Sequence, residues 1–161
     1  MLENSLRALV LSADPGVPLL GPSGASAHLR GIARALESSG YSVRVAVPRI
    51  SDDRGAVDEA FADVSVNAPG KWGCLPPLWR ERGETWDSRR LADASAADFS
   101  PNLVWERFSL FADGGGRWAQ ARGIRHLLEV NAPIGLERPK EFLGARQEGS
   151  GGCGTERSTF F

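Results

Sequence analysis

The sequence predicts an α/β protein with a Rossmann-like parallel sheet flanked by helices. An apolar run at residues 6–12 is followed by a glycine-rich turn and by an amphipathic helix at 26–39. A second run, rich in β-branched residues, follows at 41–47 and completes a βαβ unit. Two further strand patterns, at 103–107 and 125–130, alternate with helical patterns. Strands that alternate with helices form a parallel sheet, and its ligands bind beyond the carboxyl ends of the strands.

The first helix and the strand ends are the clearest parts of this pattern. The apolar residues of the helix recur at i, i+3, i+4 and i+7 and form one stripe: Leu29, Ile32, Ala33 and Leu36. Gly40 follows the helix, where a left-handed C-terminal cap is expected. The carboxyl ends of three predicted strands carry Asp14, Arg107 and Asn131. A ligand bound beyond the strand ends would meet these side chains.

The middle of the chain has weaker patterns, interrupted by prolines and glycines. Three short elements are predicted there: a helix at 51–61, a strand at 64–66 and a loop at 67–77. A helix that ends near Ala97 follows the loop. Asp113 is expected to cap a helix at 114–122, which Gly123 would close.

Length and composition indicate a globular protein of about one domain. The chain has 161 residues and a formal net charge of -1, with dispersed arginines, which gives no electrostatic footprint for nucleic acid. No apolar run approaches the roughly 20 residues of a membrane span, and the first residues lack a basic secretory start. We therefore predict a cytoplasmic location. Cys74 and Cys153 have no histidine at ligand spacing, which predicts reduced thiols rather than a disulfide or a metal site.

The segment at 21–26, Gly-Pro-Ser-Gly-Ala-Ser, joins the first strand to the first helix. Its glycines can expose backbone N–H groups at the positive end of the helix, where a phosphate or sugar oxygen would bind. The same glycines could instead let the helix pack closely on the sheet. An NTPase phosphate loop is excluded because Ala25 and Ser26 stand where lysine and Ser or Thr are required. A dinucleotide fingerprint is excluded by the G-x-x-G spacing and by the missing acidic residue after the second strand.

Three tryptophans recur every seven residues in the middle of the chain: Trp72, Trp79 and Trp86. One interpretation is an aromatic cover over an edge of the sheet. The other is a stacking platform for a sugar or lipid acceptor, since flat aromatic faces pack well against such ligands. The spacing alone is compatible with both.

Three longer blocks carry a family resemblance. The helix-opening glycine loop is followed by Ser-Gly-Tyr-Ser-Val-Arg-Val, then by Pro-Asn-Leu-Val-Trp-Glu-Arg-Phe-Ser-Leu-Phe and by Leu-Leu-Glu-Val-Asn-Ala-Pro. In this order they resemble the N-terminal, acceptor-side domain of family 4 glycosyltransferases, over residues of about 6–137. The resemblance implies half of a GT-B enzyme, in which two Rossmann-like domains face a cleft and transfer a sugar from a nucleotide-sugar without an essential metal or other cofactor.

The resemblance also implies roles for residues near the cleft. Gly21, Ser23 and Gly24 match the loop that lies against the donor diphosphate and the acceptor in the family. Asn131 stands where many relatives carry a histidine at the reaction centre, so it is a candidate catalytic residue that could hydrogen-bond a hydroxyl. His28, on the first helix beside the glycine loop, is the second catalytic candidate.

Two further charged residues belong to the same region of the predicted fold. Arg107 and Glu129 are candidate substrate-binding residues at adjacent strand ends, although a structural Glu–Arg pair is an equally good interpretation. His126, within the last strand, is expected to be packed or solvated rather than catalytic. The expected ligands are a sugar or lipid acceptor and, through a second domain, a nucleotide-sugar.

The end of the sequence departs from the family pattern. Beyond residue 143 the chain becomes rich in glycine, so we expect a domain at 1–138 and a disordered tail at 139–161. The donor-binding half of the family is missing, which suggests a truncated or frame-shifted gene whose product is inactive alone. The alternative is a non-catalytic Rossmann-like binding module that acts with a separately encoded partner.

Overall fold

A computed structural model of the chain describes residues 6–51, 63–72 and 74–131. The described residues lie in one compact unit that ends at Asn131. Its elements are β1 (Arg7–Ser12), α1 (Gly24–Ser38), β2 (Ser42–Val47), β3 (Val64–Val66), α2 (Pro77–Ala96), β4 (Leu103–Arg107), α3 (Gly114–Arg122) and β5 (Arg125–Glu129). The helix predicted at 51–61, Cys153 and the tail at 139–161 lie essentially outside the described residues. No helix in the described part of the chain has both the length and the apolar character needed to cross a membrane.

The five strands form one sheet in the order β3-β2-β1-β4-β5, and every neighbouring pair is parallel. This confirms the predicted fold class. The chain winds outward from β1 to β3 and then returns to the other side of β1 to add β4 and β5. The strand order therefore reverses between β1 and β4, and such a switch point leaves a crevice at the carboxyl edge of the sheet. In that pairing Ser12 lies beside Arg107.

Hydrophobic residues cover both faces of the sheet. On one face α1 buries Leu29 and Ala33 against alternate residues of the central strands, including Val10. On the other face α2 and α3 bury Leu91 and Trp118, among others, against the intervening strand residues. Because side chains alternate along a strand, β1 serves both cores and is almost completely buried, as the continuous apolar run predicted.

The predicted helix ends are confirmed at the glycines. Gly40 and Gly123 have φ of +87° and +65°, a conformation that glycine adopts without the steric penalty of a Cβ. Asp113 is the N-cap residue of α3, as predicted, but its side chain makes no capping hydrogen bond to the helix. The Asp113 carboxylate instead accepts two hydrogen bonds from Arg89 of α2, at 2.8 and 2.7 Å. This interaction lowers the pKa of Asp113 and joins the two helices.

The three tryptophans have separate environments. Trp72 packs directly against Gly83, so a Cβ at Gly83 would overlap the indole ring, and Trp72 Nε1 donates to Asp87 at 2.6 Å. Trp79 and Trp86 lie on α2 and are 57% and 53% exposed, which does not fit a cover over a sheet edge. The absence of a side chain at Gly83 leaves room for the Trp72 ring, which explains why a glycine lies inside this long helix.

Candidate functional site

Four of the seven residues expected at the site meet at one place: His28, Arg107, Glu129 and Asn131. Arg107 and Glu129 are direct neighbours in the pairing of β4 with β5, and Asn131 follows β5. His28 reaches them from α1, whose first turn begins beside the same edge of the sheet. We name this group the strand-end cluster. It lies at the carboxyl ends of the strands, on the face covered by α1.

His28 and Glu129 form the central contact of the strand-end cluster. His28 Nε2 lies 2.6 Å from Glu129 Oε1, and the two side chains are 43% and 23% exposed. A carboxylate can only accept, so His28 Nε2 carries the hydrogen. In the neutral imidazole the lone pair then lies on Nδ1, the nitrogen that remains for a ligand. The arrangement is that of a histidine held in one tautomer by a carboxylate.

Asn131 joins Glu129 to Arg107. With its amide oriented to satisfy both neighbours, Asn131 Nδ2 donates to Glu129 Oε1 at 2.8 Å and Asn131 Oδ1 accepts from Arg107 Nη1 at 2.5 Å. Both polar atoms of Asn131 are therefore engaged within the cluster. The two charged residues interact through this amide, which differs from the simple Glu–Arg pair that the sequence left open.

Two buried oxygens near the cluster lack a hydrogen bond within the described residues. They are Glu129 Oε2 and Ser12 Oγ. Buried polar atoms are almost always paired, because an unpaired one retains its desolvation penalty. Ser12, Arg107 and Glu129 are register neighbours across β1, β4 and β5, so they form one row at the carboxyl edge. This row therefore contains two buried oxygens, each of which could accept a further hydrogen bond.

Sequence reasoning missed Ser12. In the sequence, Ser12 is a hydroxyl residue at the end of a mostly apolar strand. In the structure it is 0% exposed. The register that places it beside Arg107 depends on pairing between strands that are remote in sequence. The sequence alone does not predict which strands pair or in which register.

The three glycine-loop residues have different surroundings. Ser23 caps α1, because its Oγ accepts from Ser26 N at 3.1 Å. At Gly21 a Cβ would lie 2.7 Å from both Pro18 Cγ and Ser26 Oγ, and the Gly21 N–H already donates to Pro18 O at 3.2 Å. Gly24 has no atom within 4 Å of such a Cβ. Gly21 thus packs closely, whereas Gly24 leaves the first turn of α1 open.

Gly24 and His28 are four residues apart on α1, so they lie on the same side of the helix. The N–H groups of a first helical turn have no acceptor within the helix, and they carry the positive end of its dipole. The open space at Gly24 therefore adjoins both this positive helix end and the His28 imidazole. No three His, Cys, Asp or Glu side chains of the described residues converge to hold a metal ion.

A second His–Glu pair lies on the opposite face of the sheet. His126 Nε2 is 2.9 Å from Glu106 Oε2, and Glu106 also accepts from the N–H groups of Gly115 and Gly116 at 3.1 and 2.9 Å. The Glu106 side chain is 3% exposed. This carboxylate neutralises the positive end of α3 and fastens it to β4. Its structural role agrees with the expectation that His126 is packed.

The parallel sheet and the polar cluster at its carboxyl edge define a Rossmann-like α/β domain with a candidate ligand site. The chain belongs to the family of glycosyl transferase 4-like domains, whose sequence model matches residues 23–154. The match includes α1 and every later element of the sheet. Searches of curated proteins and of solved structures gave no match.

Proposed function

We propose that this domain supplies the acceptor side of a sugar transfer from a nucleotide-sugar, with His28 as the general base. The observation that carries the proposal is the 2.6 Å contact between His28 Nε2 and Glu129 Oε1, which leaves His28 Nδ1 as a proton acceptor. Membership in the glycosyl transferase 4-like family supports this class of reaction. A sugar or lipid hydroxyl is the expected acceptor.

The proposed step moves one proton and exchanges one bond. The acceptor hydroxyl gives its proton to His28 Nδ1 while its oxygen bonds to the anomeric carbon of the sugar. The bond from that carbon to the diphosphate oxygen breaks, and the electron pair leaves with the nucleoside diphosphate. Glu129 holds the imidazole in the required tautomer and stabilises the imidazolium that forms.

Asn131 and Arg107 act as positioning and binding residues in this proposal. An amide cannot take up a proton at neutral pH, so Asn131 does not replace the histidine of many relatives in acid–base chemistry. It fixes Glu129 and Arg107 relative to one another through its two hydrogen bonds. Arg107 is the register neighbour of Ser12, and its guanidinium, which donates to Asn131, would bind an anionic or hydroxylated part of the substrate.

The first turn of α1 would face the diphosphate of the donor. Ser23 orders this turn, and the missing side chain of Gly24 lets an oxygen approach the backbone N–H groups. Gly21 contributes through packing, which keeps the turn in place. The sugar and nucleotide would be held by a second Rossmann-like domain, as in the GT-B architecture. Because proximity supplies much of the rate of such a reaction, we expect transfer only when the acceptor-side and donor domains are both present.

Separate substitution of His28 and His126 tests the proposal. Transfer from radiolabelled nucleotide-sugars to mixed acceptors would be measured after adding or fusing the donor domain of a relative. His28→Gln should lower the rate by about 10²- to 10⁴-fold, the usual contribution of a general base. His126→Gln is the matched control, because it removes an imidazole from the other His–Glu pair of the sheet. Equal losses in the two variants, or full activity of His28→Gln, would contradict the proposal.

A further inference from the structure

The segment that joins β1 to α1, residues 13–23, is held to the body of the domain near its middle. We name it the β1–α1 loop. Leu19 is buried in the core on the α1 face of the sheet. The backbone N–H groups of Leu19 and Leu20 donate to carbonyl oxygens just beyond β2, at 3.1 and 2.7 Å. The loop is therefore attached to the sheet before the chain reaches α1.

Arg30 of α1 contacts the last part of this loop. Its Nη1 donates to Leu19 O at 2.8 Å and to Gly21 O at 3.2 Å, so one guanidinium nitrogen joins two carbonyls of the loop. Leu19 and Gly21 are both buried, and a buried carbonyl that loses its hydrogen bond retains its desolvation cost. Hydrogen bonds from a charged donor are also stronger than neutral ones. Arg30 therefore links the second turn of α1 to the backbone directly before the Ser23 cap.

The same part of the loop has little side-chain packing of its own. Among the described residues, no atom lies within 4 Å of a Cβ built at Gly24. Glycine loses more conformational freedom on folding than any other residue, so a fixed backbone at Gly21 and Gly24 is costly. The Ser23 cap and the two hydrogen bonds from Arg30 restrict the backbone there. Removal of the Arg30 donors should therefore let this end of the loop sample other conformations.

We propose that Arg30 is a positioning residue that keeps the β1–α1 loop in the conformation that binds the donor diphosphate. The identity of this ligand rests on the proposed function. Arg30 acts through the loop and not on the reacting atoms. When only a fraction of the molecules has a binding-competent loop, the apparent dissociation constant rises by the inverse of that fraction. Loss of the two hydrogen bonds therefore weakens donor binding and leaves proton transfer at His28 unchanged.

Two substitutions separate the hydrogen bonds of Arg30 from the size of its side chain. Arg30→Met keeps an unbranched apolar side chain without a donor, whereas Arg30→Lys keeps the charge and N–H donors. In hydrogen exchange of the full chain, Arg30→Met should speed exchange in peptides from residues 16–23 and leave β1 and β2 unchanged. Arg30→Lys should exchange nearly as slowly as the wild type. Arg34→Gln is the control, because it changes an exposed arginine one turn further along α1.

Kinetics with the added donor domain of a relative test the effect on binding. Arg30→Met should raise the KM for the nucleotide-sugar about tenfold at nearly unchanged kcat, which corresponds to a competent loop in about one molecule in ten. Arg30→Lys should restore most of the wild-type KM, and Arg34→Gln should not change it. His28→Gln should instead lower kcat.

The proposal is overturned if Arg30→Met changes neither the exchange of the loop nor the KM. It is also overturned if Arg30→Met speeds exchange in β1 and β2 as much as in the loop, because Arg30 would then stabilise the whole fold. A loss in kcat without a rise in KM would likewise contradict it. Absence of transfer by the wild type would overturn the proposed function and the assignment of the ligand with it, while the exchange experiment would still decide whether Arg30 holds the loop.

Discussion

Two histidine–glutamate pairs on one sheet show how surroundings separate chemistry from structure. Both oxygens of Glu106 accept hydrogen bonds, from two backbone N–H groups and His126, so neither oxygen is without a partner. Glu129 Oε2 has no partner within the described residues, and the His28 side chain is 43% exposed. The His28–Glu129 pair is therefore more open than the His126–Glu106 pair, whose side chains are 25% and 3% exposed. The same residue types thus form a candidate site on one face and attach a helix to the sheet on the other.

Gly21 and Gly24, at the start of α1, allow a prediction about whether a ligand binds next to the first helical turn. Gly24→Val should leave the free energy of unfolding nearly unchanged, because no atom lies within 4 Å of a Cβ at this position. The added side chain would occupy the space next to the first helical turn and abolish donor binding. The urea denaturation midpoint and sugar transfer with an added donor domain are the two measurements.

Gly21→Val is the control for that substitution. Its Cβ would lie 2.7 Å from Pro18 Cγ and Ser26 Oγ, so Pro18 or α1 must move. We expect destabilisation of about 1–3 kcal/mol from overpacking. A large loss of stability in Gly24→Val, with no separate loss of binding, would refute the ligand role of Gly24.

At the scale of elements, the Asp113–Arg89 contact predicts how the link between α2 and α3 depends on pH. Arg89 holds the pKa of Asp113 below its usual range. A carboxyl whose pKa is lowered by folding stabilises the fold above its unfolded pKa of about 3.9, and this stabilisation is lost as the pH falls through the folded pKa. Because both side chains are about two-fifths exposed, 43% and 40%, we expect a coupling of only about 0.5–1 kcal/mol.

A double-mutant cycle with Arg89→Gln and Asp113→Asn measures that coupling by urea denaturation. The coupling should be constant from neutral pH down to about pH 4 and should decline only below it. Arg117→Gln is the control, since Arg117 lies 3.9 Å from the same carboxylate. A coupling that is equal for Arg89 and Arg117 would contradict the special role given to the bidentate contact.

Local patterns predicted most of the elements, whereas contacts between distant elements escaped prediction. The strands, α1 and the ends at Gly40 and Gly123 follow from hydrophobic periodicity and glycine conformation within a few residues. The strand-end cluster was predictable because parallel strands bring their carboxyl ends to one edge. The Asp113–Arg89 contact joins residues 24 apart on different helices, and the row that contains Ser12 depends on strand register. Such partners are chosen by packing, which a single sequence does not display.

At the scale of the whole molecule, burial divides the sheet into a protected centre and an open edge. The three inner strands are β2, β1 and β4. The residues of β1 after Arg7 are buried on both faces of the sheet. β5 is an edge strand in which Leu127 and Leu128 are 53% and 51% exposed, and Val130 after it is 59% exposed. The strand-end cluster draws Arg107 from an inner strand and Glu129 from this edge strand. The candidate site therefore joins a buried inner strand to an exposed edge strand.

Native-state hydrogen exchange followed by mass spectrometry should reveal that division. We expect amide protection to be greatest in peptides from β1 and β4, which open only with global unfolding, and much lower in peptides from β5. Glu129 links β5 to His28 of α1 and to Asn131, so we expect Glu129→Gln to increase exchange in β5 while exchange in β1 stays unchanged. His126→Gln is a useful comparison, since it changes the same strand from the opposite face. Protection of β5 equal to that of β1 would mean that another part of the chain or a second molecule covers this edge in solution.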